Sequence, residues 1–116
     1  MSWEETAMDY RKVFDKLRSR EGIIACGVID ERGDIIECMV PEGFPKDKLS
    51  KVYALEVGML RNLEELFGAF NYRITSFSNS SQIIYKCYGL YLVASSKKDP
   101  KTLLKQVEEA VRTGSD

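Results

Sequence analysis

Residues 45–68 read PKDKLSKVYALEVGMLRNLEELFG, and everything else in the chain is arranged around them. Pro45 signals a helix start, because proline is tolerated only in the first turn, where its missing N–H is not needed. Gly68 signals the stop, as a glycine just past the last turn does. The spacing predicts one long helix over 45–67. At about 100° per residue, Leu49, Leu60 and Phe67 fall on one line. Val52, Leu55, Met59, Leu63 and Leu66 lie to one side of it, Tyr53 and Val57 to the other. The apolar arc spans roughly 200°, where about 100° suffices to cover a sheet. Such a helix has two surfaces to bury. One is a sheet; the other is either the chain's own loops or a second copy of the same helix, and a short chain has few loops to spare. Which flank meets the sheet is open at this level.

Glu56 sits inside the apolar arc. It is either a rim residue with its stem on apolar surface and its head in water, or a polar residue beside a helix–helix seam that helps set register. The opposite face carries Lys51, Ala54, Gly58, Arg61, Asn62 and Glu65. Ala54 and Gly58 are small enough for another backbone to approach, and Gly58 costs about 1 kcal/mol of helix stability relative to alanine.

The chain has 116 residues, which suits a single domain over 1–116. Its hydrophobic fraction of 44% supports a core. Net charge is -1, with Lys+Arg 17 against Asp+Glu 18, so nothing in the composition favours nucleic acid. No apolar run reaches the length of a membrane span, and the first residues are acidic and amphipathic rather than a leader. A cytoplasmic protein is expected. Three cysteines without framework spacing fit reduced thiols. Histidine, the commonest base and metal ligand, is absent. No C-x-x-C pair, G-x-x-x-x-G-K-[ST] or G-x-G-x-x-G stretch occurs. The expectation is a protein that is not an enzyme, with no catalytic residue, cofactor or metal ligand set.

Around the central helix the other elements follow in order. Ser2 and Glu5 form a capping-box pattern, and Trp3, Ala7, Tyr10, Phe14 and Leu17 continue it as a helix over 2–18 with one apolar stripe. GIIACGVID at 22–30 reads as a buried central strand, Glu31-Arg32-Gly33 as a turn, and 34–40 as the returning strand. With that loop Asp30 faces Asp34 and Cys26 falls opposite Cys38. YRITSFS at 72–78 alternates and is half apolar, an edge strand; QIIYKCY at 82–88 and LYLVASS at 90–96 are further strands joined at Gly89. Asp99-Pro100 starts a last helix with Leu103, Leu104, Val107, Ala110 and Val111 on one stripe, and 113–116 should fray. Short turns imply an antiparallel sheet whose two faces the helices cover. The serines at 76–81 and 95–96 lack a nearby base and read as turn and edge residues. Asp30, Glu31 and Asp34 at the hairpin tip read as a solvated turn or a weak cation site. Lys97, Lys98, Lys101 and Lys105 form a modest basic face.

The hairpin GIIACGVIDERGDII, the long helix ending ELFG and the glycine-led strand YGLYLVAS together resemble the Roadblock/LC7 family. The resemblance covers most of the chain. It implies an α+β single-domain sandwich of profilin-like/Roadblock type. Its five-stranded antiparallel sheet runs in the order 2-1-5-4-3, with the long helix on one face and the two terminal helices on the other. It also implies a homodimer joined by third strands and central helices, here through Val52, Leu55, Glu56, Met59, Leu63, Tyr72, Ile74 and Ser76. Family dimers bind small Ras-like GTPases as activators or scaffolds; here Lys51, Arg61, Asn62 and Glu65 would make that contact. Profilin-like domains share the architecture, so a monomeric sensor holding a small molecule between sheet and helix is the alternative.

Overall fold

The computed structural model describes residues 9–87 and 89–114. The Ser2–Glu5 capping box, Trp3, Ala7, Tyr88 and residues 115–116 lie outside them. Three described helices, α1 (Tyr10–Arg18), α2 (Lys46–Phe67) and α3 (Pro100–Gly114), are interleaved with the strands. The strands are β1 (Ile23–Ile29), β2 (Ile35–Met39), β3 (Tyr72–Ser76), β4 (Ser81–Cys87) and β5 (Leu90–Ser96). They form one antiparallel sheet in the order β2-β1-β5-β4-β3. This is the expected α+β architecture.

Each face of the sheet carries its own core. On one face Val13, Phe14 and Leu17 of α1 and Leu103, Val107 and Ala110 of α3 pack on Cys26, Val28, Ile83, Leu92 and Ala94. On the other, Tyr53, Val57 and Leu60 of α2 pack on Ile29, Ile84, Tyr91 and Val93. The terminal helices therefore share one face and the long helix holds the other, as expected. The second core is much the thinner. Only three of the 22 residues of α2 are buried, so among the described residues its broad apolar arc is mostly uncovered.

Three expectations are corrected. A helix does not run unbroken from 2 to 18. Asp9 has an extended backbone (φ -78°, ψ 95°) and its carboxylate accepts hydrogen bonds from the N–H groups of Arg11 and Lys12, so it caps a helix that begins at Tyr10. Cys26 does not face Cys38. The turn places Asp30 beside Asp34 as expected, but Ile29 pairs with Ile35 while Val28 pairs with Glu37. Ile36 is thus an extra residue, a bulge that moves the rest of β2 by one position and sets Cys26 opposite Met39 and Cys38 opposite Gly27. No disulfide joins Cys26, Cys38 or Cys87. Thr113 and Gly114 do not fray. The Thr113 hydroxyl donates to the carbonyls of Glu109 and Ala110, and Gly114 is buried against Val13, where any side chain would collide. At the other end of α3, Asp99 caps Thr102 as its position before Pro100 predicts.

Candidate interaction surface

Because α2 lies on the sheet through Tyr53, Val57 and Leu60, the Tyr53 flank of the apolar arc is the one that meets it. A neighbouring contact fixes a second direction. The β1–β2 turn comes up against Ala54: a Cβ built on Gly33 would lie 2.6 Å from the Ala54 Cα. The small-residue face of the helix does admit another backbone, at Ala54. At Gly58, among the described residues, a Cβ would meet nothing within 4 Å beyond its chain neighbours and the backbone of its own helix.

With Ala54 turned toward the β1–β2 turn, the flank about 180° away looks toward β3. That flank carries Val52, Glu56, Met59 and Leu63. Contact with β3 confirms it: the Arg73 guanidinium reaches the Met59 sulfur at 3.9 Å. Val52, Met59 and Leu63 are exposed and Glu56 is half-buried. Leu55 is 76% exposed and belongs elsewhere. It points away from the sheet, on the crest of the helix, with Leu66.

Among the described residues β3 is an open edge, with β4 as its one neighbour in the sheet. The Lys86 N–H donates to the Asn71 carbonyl and the Phe77 N–H to the Ser80 carbonyl. In an antiparallel ladder the bonded residues alternate, so Arg73 and Thr75 spend their backbone groups on β4. The N–H and C=O groups of Tyr72, Ile74 and Ser76 point outward. These are the three strand residues the sequence reading assigned to an interface. Their side chains lie on the terminal-helix face: Ile74 packs against the core there and Tyr72 stacks on Tyr85 with ring centroids 6.3 Å apart. Arg73, on the α2 face beside Met59, is a member of the surface that the sequence reading missed. Nothing in the local pattern marks it, because its place depends on which face of β3 the helix covers.

Lys51, Arg61, Asn62 and Glu65 are all exposed, but they do not make one patch. Lys51 and Asn62 share the crest with Leu55; Arg61 and Glu65 lie lower, on the flank beside the β1–β2 turn. Phe67, expected beside Leu49 and Leu60, is exposed instead. The chain turns at Gly68 (φ 94°) and Phe70 takes the packing position, stacked on Tyr91 at 5.9 Å. The Glu64 carboxylate holds this end in place, accepting from the Phe70 N–H at 3.1 Å and from Lys86 Nζ at 2.7 Å.

A cavity between α2 and the sheet, lined in part by Ala25, Ile29, Cys38, Leu49, Tyr53 and Val93, has a volume of about 20 Å³. That is room for about one water, far below the roughly 300 Å³ at which small-molecule sites begin. The hairpin-tip carboxylates are occupied locally: Asp30 accepts from the N–H groups of Arg32 and Asp34, and Arg32 pairs with Asp30 and Asp34 at 3.7 and 3.8 Å. Among the described residues no group of three or more His, Cys, Asp or Glu side chains is placed to hold a metal ion, and no helix is long and apolar enough to cross a membrane.

Comparison with solved structures finds the same fold. A Roadblock/LC7 domain from Streptomyces avermitilis superposes with a TM-score of 0.64 at 13% identity, over 86% of this chain and 88% of that one. Myxococcus xanthus MglB gives 0.68 at 13% identity, over 86% and 83%. An MglB with a tetrameric arrangement gives 0.69 at 15% identity, over 91% and 84%. No family model matches the sequence, and no curated protein matches it. The chain has the Roadblock/LC7 fold, as the resemblance implies; at these identities the likeness is one of fold.

Proposed function

We propose that the protein is a non-enzymatic homodimeric regulator or scaffold, cytoplasmic, that binds a small Ras-like GTPase. The observation that carries the reading is the continuity of two unsatisfied surfaces. The apolar flank of α2 lies directly beside the open edge of β3, joined at the Met59–Arg73 contact. An apolar stripe asks for cover and a strand edge asks for a strand. A second copy related by a two-fold axis supplies both at once, since the same patch meets itself. A register through Ile74 pairs all three outward residues, Tyr72 with Ser76 and Ile74 with itself. The MglB structure with a tetrameric arrangement supports self-association in proteins of this fold. The GTPase rests on the family resemblance, with Leu55, Lys51 and Asn62 on the crest left free for it.

Native mass spectrometry and a GTPase pull-down test the reading. The expected result is a dimer without added mass that captures a Ras-like GTPase from the same source in one nucleotide state, GDP or GTP analogue, over the other. Ile74→Pro removes an outward N–H and should give a folded monomer, whereas Arg73→Pro removes a bond to β4 and should destabilise the protomer itself. A wild-type monomer carrying a bound small molecule would overturn the proposal in favour of a sensor, and indifference to nucleotide would remove the GTPase from it.

A further inference from the structure

The flank of α2 that faces β3 is uneven along its length. At the start of the helix Phe44, Pro45, Lys48, Leu49 and Val52 enclose a largely apolar cleft of about 180 Å³. At the other end Phe67 is 81% exposed. A phenyl ring stands in water at one end of a helix that has an unfilled apolar cleft at the other.

Three contacts fix how α2 lies along the sheet. Tyr53 receives a hydrogen bond from Gln82, which pairs with Thr75. Met59 meets Arg73, and Glu64 meets Lys86, whose N–H bonds Asn71. As α2 runs forward β3 runs backward, and Glu56 stands level with Ile74. In a two-fold dimer joined at Ile74 the two long helices therefore run antiparallel, side by side, with the Glu56 residues at the axis. The last turn of each helix then lies level with the first turn of the other.

We propose that Phe67 of a second copy seats in the cleft of Phe44, Pro45, Leu49 and Val52, twice per dimer, and that this pair of end contacts is the anchor of the interface. The charges agree. The last turn of α2 has no basic residue, while its first turn holds Lys46 and Lys48 on either side of the single acid Asp47, a net positive charge at the wrong end for a helix dipole. Antiparallel pairing brings Lys48 of one copy to the carbonyl end of the other, where a cation is favoured. The inference rests on the dimer reading above.

Sedimentation equilibrium of the full chain, with photo-crosslinking, tests it. Phe67→Ser should raise the dimer dissociation constant about tenfold to a hundredfold, the range of an anchor residue, with an unchanged circular dichroism spectrum, because the ring packs on little in the protomer. Leu55→Ser, at a comparably exposed crest position, should leave the constant unchanged. A benzophenone amino acid at position 67, mixed with isotope-labelled wild type, should crosslink to the labelled peptide containing residues 44–52. A dimer that is indifferent to Phe67→Ser, or whose crosslinks fall elsewhere or do not form, overturns the end contact and leaves the dimer standing. A wild-type monomer overturns both.

Discussion

Gly33 and Gly58 show how two glycines near one helix face differ in consequence. Gly33 has φ +92°, a conformation that side chains resist, and its missing Cβ leaves room for the Ala54 backbone. Gly58 is helical and open, so it only costs helix propensity. Gly33→Ala is expected to lower stability by about 1–3 kcal/mol through strain and collision. Gly58→Ala is expected to raise it by about 1 kcal/mol. Urea midpoints at constant slope measure both, and a neutral Gly33→Ala would mean that the hairpin tip yields. The sequence made the small residues at 54 and 58 visible but not which of them another backbone meets. That is decided by where β1–β2 ends, and the extra residue Ile36 that shapes β2 is hidden in the run Ile35-Ile36, where either isoleucine can belong to the strand.

The long helix is legible as an element because its two ends are punctuated and its apolar arc is too wide for one neighbour. What holds its far end is not legible, because Glu64 and Lys86 are linked by no pattern. The Lys86 ammonium, 5.8 Å over the Phe70 ring, donates to Glu64 and holds that carboxyl below its ordinary value of 4.5, helped by the Phe70 N–H; the same hydrogen bond holds Lys86 above 10.5. A depressed carboxyl stabilises the fold above its unfolded value and loses that contribution as pH falls through the folded one. A raised ammonium stabilises below its unfolded value and loses that as pH rises through the folded one. The clamp is therefore constant between 4.5 and 10.5 and weakens on both sides. Glu64→Gln should lower the thermal midpoint at neutral pH and flatten its fall into acid. Midpoints measured down to about pH 3, where a carboxyl of ordinary value is mostly protonated, check this; an acid limb as steep as in wild type would show that other carboxylates dominate.

At the scale of the whole molecule the sheet order and the two-sided helix placement came with the resemblance, whereas the second surface of the long helix was already legible in the width of the apolar arc. For the proposed dimer, the alignment of α2 with β3 sets where a symmetry axis would pass. Glu56 is half-buried on the β3-facing flank and level with Ile74, so a two-fold axis through the paired edge brings two Glu56 carboxylates toward each other. Like charges so placed oppose association, and at the margin of an apolar seam they are less screened than in bulk water. Glu56→Gln should therefore tighten the dimer, and more so at low salt. Glu56→Lys repels its own copy in the same way yet attracts wild type. An equimolar mixture of Glu56→Lys and wild-type protein, distinguishable by mass, should give more heterodimer in native mass spectra than the statistical half. A statistical mixture would place the axis elsewhere along α2, and with it the register of β3 and the seat of Phe67. The sign of that single ratio thus reports on strand, helix and end contact together, because all three are fixed by the same rotation.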